Sequence, residues 1–265
     1  MSPNEPTMPP TNSRRRILWL IVGHVVVGLI AACVSSFAGR GPTLPTAAFF
    51  GIVVGQTSLL GIWCGLGSNP WWQRVIGVVL GVGYLGTLWG TGASEVHPEV
   101  FFTAFLTTTF VAMPLLIVRF FKVAVQLDSP PVASMGRIQF SIRHLMILTF
   151  VVACLITIGK WVQPYLPHGE MTFSVLLFVV TFAGVGILPV WFVLATKQPM
   201  LYSVGLVAVG ACAGYCPARI LDRGDEGLIM ILTATEAMAV VVSLLVVRSC
   251  GYLLVRLPPR RQRGR

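Results

Sequence analysis

The chain predicts an all-α fold: a polytopic membrane helix bundle of about eight transmembrane helices, with both termini cytoplasmic. Three observations carry that expectation. Of 265 residues, 55% are hydrophobic and 11% charged, and mean hydropathy is +0.81, whereas a soluble domain carries about 25% charged residues. Eight apolar runs recur, at residues 17–37, 47–66, 75–90, 100–118, 145–158, 171–195, 200–216 and 228–247. Along a path that crosses at each run, fifteen of the nineteen Lys and Arg fall on one side, and Arg40, Lys160, Arg219 and Arg223 on the other. Basic residues are retained in the cytoplasm during insertion, so the populated side is the inside. Removing one span would invert every later loop and spoil the asymmetry.

Residues 1–13 are rich in Pro, Ser, Thr and Asn and read as a disordered cytoplasmic tail. The first run follows Arg14, Arg15 and Arg16 and exceeds the roughly 7–15 apolar residues of a signal peptide. It therefore reads as an uncleaved span, despite a lipoprotein-like Ile30-Ala31-Ala32-Cys33. The first, second, fourth, sixth and eighth runs reach the roughly 17–25 residues that cross a bilayer. The third, fifth and seventh are shorter. Trp71 and Trp72 before the third, and Trp161 after the fifth, extend them with interfacial anchors. The seventh stops at Cys216, ahead of Pro217. The longest connection contains Asp128-Ser129-Pro130-Pro131 and cannot be helical throughout. It separates two four-helix membrane halves, 14–121 and 141–254, by a cytoplasmic linker at 122–140. A basic cytoplasmic tail follows at 255–265.

The net charge of +10 does not indicate nucleic acid, because no basic face is interleaved with aromatics. The basic residues sit where anionic lipids of the inner leaflet attract them. Arg256, Arg260 and Arg261, with Arg143, are the expected headgroup contacts. The six Cys lie in or beside spans and form no extracellular disulfide framework. Cys212 and Cys216 share a helical face, but a metal site needs further ligands, so they read as packing residues. Neither a metal nor any other cofactor is expected.

Phe140-Ser141-Ile142-Arg143-His144-Leu145-Met146-Ile147-Leu148-Thr149 is the most distinctive string. Ser141 is placed to cap the fifth helix, with Phe140 and Leu145 as a hydrophobic staple. Arg143 in the first turn opposes the helix dipole, which inner-leaflet phosphates would compensate. The string resembles the F-S-[IL]-R-x-L-[LM]-x-x-T entry to a span in many uncharacterised multi-pass proteins of planctomycete bacteria. That resemblance covers ten residues; it implies a bacterial inner-membrane protein and no catalytic residue.

Glycines recur four apart, as Gly51/Gly55, Gly61/Gly65, Gly77/Gly81, Gly86/Gly90 and Gly210/Gly214. Such spacing lets a neighbouring helix backbone approach closely. Packing within the bundle is the first expectation, and a homodimer face on the glycine-rich spans the second. Pro114 and Pro189 each remove a backbone donor, which frees the carbonyls of Phe110 and Val185 and marks both as candidate hinges.

Three polar side chains lie deep in spans: His24, Gln56 and Glu236. Glu236 sits about 12 Å from the outer edge at about 1.5 Å per residue. A charged carboxylate at that depth costs on the order of 3 kcal/mol, so a neutral acid facing the bundle interior is expected. Thr233 and Ser243 share its helical stripe. Thr233, Gln56, the Thr107–Thr109 run and His24 are its expected partners. Known catalytic constellations are missing: there is no HExxH, GxSxG or Walker loop. The leading expectation is a non-enzymatic membrane scaffold, sensor or assembly partner. Its rivals are a small proton-coupled transporter using Glu236 and His24, and an intramembrane enzyme acting on a lipid.

Overall fold

A computed structural model describes residues 11–37, 43–67, 69–92, 98–120, 123–127, 169–196, 198–220 and 226–256. The apolar runs become helices α1 (Thr11–Phe37), α2 (Leu44–Leu66), α3 (Trp71–Gly92), α4 (Pro98–Phe120), α5 (Gly169–Leu194), α6 (Pro199–Ile220) and α7 (Glu226–Ser249). By length and apolar composition, α2, residues 177–194 of α5, α6 and α7 can each cross a membrane. The apolar stretches of α1 and α4 are shorter. This is a helical membrane protein. Val27, Val79, Leu80, Met200 and Val204 are among many large apolar side chains left exposed on α1, α3 and α6. Water would not tolerate so much apolar surface, but lipid does.

Local chemistry sets the helix ends. Helix α1 is described from Thr11, within the stretch expected to be a disordered tail. Pro45 stands in the first turn of α2, where its missing N–H costs nothing. The seventh run does not stop at Cys216. Its helix continues through Pro217 to Ile220, and its 22 residues give about 33 Å at about 1.5 Å per residue. The run 145–158, Ser141, Arg143, Arg260 and Arg261 lie outside the described residues.

Contacts between glycines and neighbouring backbones give the helix directions. A Cβ at Gly51 would collide with the carbonyl oxygen of Leu232, and one at Gly55 would lie 2.9 Å from Ala239. Farther along α2, on a neighbouring face, a Cβ at Gly61 or Gly65 would lie 2.7 or 2.6 Å from Val111 or Leu115 of α4. Residue numbers rise together in both pairs, so α2, α4 and α7 run parallel. Helix α6 is antiparallel to α7, with Gly210 against Ala237 and Gly214 against Thr233. It is also antiparallel to α5, with Val185 beside Gly210 and Phe192 beside Tyr202. Thus α2, α4, α5 and α7 all point one way, while α1, α3 and α6 return between them. Val111, Leu115, Val190, Val193, Val240 and Leu244 form the main core where the parallel helices meet. A smaller cluster of Ala32, Phe49, Val53, Leu85 and Leu88 holds α1 and α3 to α2.

Side by side, parallel helix dipoles repel, and in a low dielectric the repulsion is poorly screened. The charged residues answer it at both ends. Glu226 opens the first turn of α7. At the other end, Arg74 Nη1 donates to the Cys64 carbonyl at 2.6 Å, and Arg119 Nη1 donates to the Gly67 carbonyl. Arg248 Nη1 donates to the carbonyl of Val193 in the last turn of α5. Helix C-termini leave carbonyls without intrahelical partners, and these three guanidinium groups fill that need.

The same end carries two short strands that the helical expectation did not include. Strand β1 (Val123–Leu127) pairs antiparallel with β2 (Tyr252–Arg256), in the register Val123↔Arg256 to Leu127↔Tyr252. The ribbon therefore ties the segment after α4 to the segment after α7. Gly251 makes the corner: its φ is 86°, and its N–H donates to the Arg248 carbonyl at 2.8 Å. A residue with a Cβ is strained in that left-handed conformation. Leu254 of β2 is buried among Leu66, Leu115, Leu194 and Leu244.

Candidate intramembrane polar site

The polar residues expected at one site divide between two places. On α2, Gln56 and Ser58 are two residues apart, so their side chains leave the helix about 200° apart. Gln56 turns toward α1, where its Nε2 donates to the His24 carbonyl at 2.9 Å. Ser58 turns toward α7 and donates its hydroxyl to Glu236 Oε1 at 2.9 Å. On α7, Glu236 and Ser243 share a face but stand about 10 Å apart along the axis at about 1.5 Å per residue. The His24 ring reaches Ser243, with Nε2 2.8 Å from its Oγ. It does not reach Glu236.

At the first place α1, α2 and α7 converge. Ser243 spends its only proton on the Ala239 carbonyl at 2.6 Å. It must then accept from His24, which places the imidazole proton on Nε2 when the ring is neutral. Here His24 presents its ring to one helix and its backbone carbonyl to another. It is half-buried, while Gln56 and Ser243 are buried.

At the second place Glu236 is enclosed completely, with 0% of its surface exposed. Gly51 and Gly55 admit the α7 backbone on one side. Gly186 of α5 closes the site behind Ser58, where an added Cβ would lie 2.7 Å from the serine. Glu236 Oε2 has no hydrogen-bond partner among the described residues, and no cation stands within ion-pair distance of it there. One donor serves the carbonyl oxygen of a neutral carboxyl group and leaves only its O–H without a partner among the described residues. A carboxylate offers about four acceptor positions and would be left far short.

The expected partners of Glu236 are therefore replaced by Ser58. Thr233 is buried on the same helix, but its hydroxyl bonds back to the carbonyls of Ile229 and Met230 at 3.0 and 3.1 Å. Thr107 and Thr109 also bond within their own helix, to Thr103 and Phe105. Thr108 reaches the carbonyl of Thr57 at 3.4 Å. A sequence signal for Ser58 existed: it stands three residues after Gly55 and seven after Gly51, on the small-residue face that receives α7. The two prolines lie inside continuous helices α4 and α5. Gly186, one turn before Pro189, is pressed against Ser58, so the freed carbonyl of Val185 sits in a packed segment. Arg256 stands in β2 opposite Val123.

No family model, no curated protein and no solved structure matches the chain.

Proposed function

We propose that the chain is a non-enzymatic scaffold or assembly partner in the cytoplasmic membrane of a bacterium. The observation that carries this reading is the pairwise use of its deep polar groups. Glu236 meets Ser58 in a closed contact, and His24, Gln56 and Ser243 knit three helices at a separate level. A proton-coupled carrier needs titratable groups joined along a path, and no hydrogen bond joins these two among the described residues. Interhelical hydrogen bonds of this kind contribute about 0.6–2 kcal/mol each in membranes, which suits a bundle built to stay closed.

Eight spans with both termini cytoplasmic remain the best topology. Helices α4 and α5 point the same way, which supports the further span that the apolar run 145–158 offers in the sequence. Helix α1 is antiparallel to α2, so it starts at the end where α7 finishes, beside Arg74, Arg119 and Arg248. The positive-inside rule makes that end cytoplasmic. The span-entry string at Phe140–Thr149 supports a bacterial inner membrane.

Two measurements test these statements. In a cysteine-free chain, a single cysteine at position 93 should react with an impermeant maleimide in intact cells. Labelling only after permeabilisation would reverse the orientation. In proteoliposomes under a pH gradient, proton flux should match that of empty vesicles, with or without Glu236→Gln. Flux that Glu236→Gln abolishes would replace the scaffold with a carrier.

A further inference from the structure

The basic end holds cations that its own described residues do not neutralise. Arg74 and Arg119 come from different helices and converge on the end of α2, on carbonyls only three residues apart, at Cys64 and Gly67. Two like charges held on neighbouring carbonyls of one helix end repel each other. The ion pair among the described residues, Arg219–Glu226, is at the other end of the bundle. Each guanidinium has five N–H donors and gives one nitrogen to a helix carbonyl. Arg74 Nε is enclosed with no acceptor at all among the described residues. Two converging guanidinium groups with spare planar donors form a receptor for a tetrahedral oxyanion.

The surroundings identify the source of that anion. Trp71 and Trp72, in the turn before Arg74, are 70% and 50% exposed, as residues of an interfacial aromatic belt are. Next to Arg74, α3 presents Val75, Ile76, Val79 and Leu80 outward on one face. An aromatic collar over an apolar lane fits an acyl chain, whereas a free phosphate would use neither. We propose that Arg74 and Arg119 together hold the phosphate of one anionic phospholipid, with its chains along the outer face of α3. The bound phosphate relieves the repulsion between the two cations and locks α3 and α4 onto the end of α2.

The test uses the full chain in a neutral detergent, with phosphatidylglycerol added and retention read by native mass spectrometry. One phosphatidylglycerol should remain bound per chain, and phosphatidylcholine should not. Arg74→Gln and Arg119→Gln should each weaken retention about tenfold or more, the scale of one lost charge-assisted hydrogen bond. Arg74→Lys keeps the charge and guards against simple misfolding; it should weaken retention less than Arg74→Gln. Replacing Asp128 by Asn in the linker should change nothing. Removing residues 257–265, which carry the separate headgroup contacts Arg260 and Arg261, should weaken general attachment to anionic lipid but leave the one phosphatidylglycerol retained. Equal retention of phosphatidylcholine, full retention in Arg74→Gln, or displacement by inorganic phosphate at matched concentration would overturn the assignment. Loss of retention on removing the tail would move the site to the tail.

Discussion

Gly51→Leu should unfold or separate the bundle more severely than any other single change on α2. The reason is what stands opposite. A Cβ there meets the carbonyl oxygen of Leu232 and lies 2.8 Å from Thr235 Cβ and 3.2 Å from the Glu236 nitrogen. Those neighbours are mostly α7 backbone and cannot rotate away as a side-chain tip can. Relief requires α2 and α7 to part, which also pulls Ser58 from Glu236 and opens the core around Val240. Overpacking of this kind costs about 1–3 kcal/mol and sometimes more, and the backbone contact places Gly51 at the upper end. Gly83 has nothing within 4 Å of its Cβ position and provides the control. In nanodiscs, Gly51→Leu should lower the unfolding midpoint strongly while Gly83→Leu leaves it nearly unchanged. Equal shifts would show that α2 and α7 do not approach as described.

The second large effect concerns Glu236. Replacing it by Ala removes a fully buried side chain, opens a cavity and leaves the Ser58 hydroxyl without its acceptor. The combined loss should be about 2–4 kcal/mol. Glu236→Gln keeps the volume and a carbonyl acceptor for Ser58, so its cost should stay below about 1 kcal/mol. Ser58→Ala should fall between them. Combined with Glu236→Ala it should cost little more than Glu236→Ala alone, because the two residues share one interaction. Charge is what separates these outcomes. Were the acid ionised, Glu236→Gln would remove an expensive buried charge and would raise stability instead.

Much of this was readable before any coordinates. Apolar length located the ends of each described helix to within six residues, the start of α1 being the largest miss, because lipid forces the backbone to satisfy itself within each span. Glu236 was marked as interior by cost alone. Features that depend on distant segments were not readable. Strands β1 and β2 are each five residues long and pair across more than a hundred residues, so no local pattern announces them. The sequence divides Tyr252–Arg256 between the membrane half ending at 254 and the basic tail, and the left-handed Gly251 is the turn that starts the strand. The arginines were legible as topology markers but not as caps, since capping another helix needs that helix's end in place. Ser58 was passed over because a serine in a span is unremarkable until the glycine face around it receives a partner.

The protonation state of Glu236 tests the central claim most directly, since a closed structural contact requires a neutral acid and a proton pathway does not. Infrared difference spectra of membranes containing the chain and Glu236→Gln at neutral pH isolate this one group. A protonated carboxyl band that disappears in Glu236→Gln, and does not move when the bulk pH is lowered to 6, is the predicted result. A carboxylate band that Glu236→Gln removes would contradict it, and would require a buried cation or a water-filled path beside Ser58.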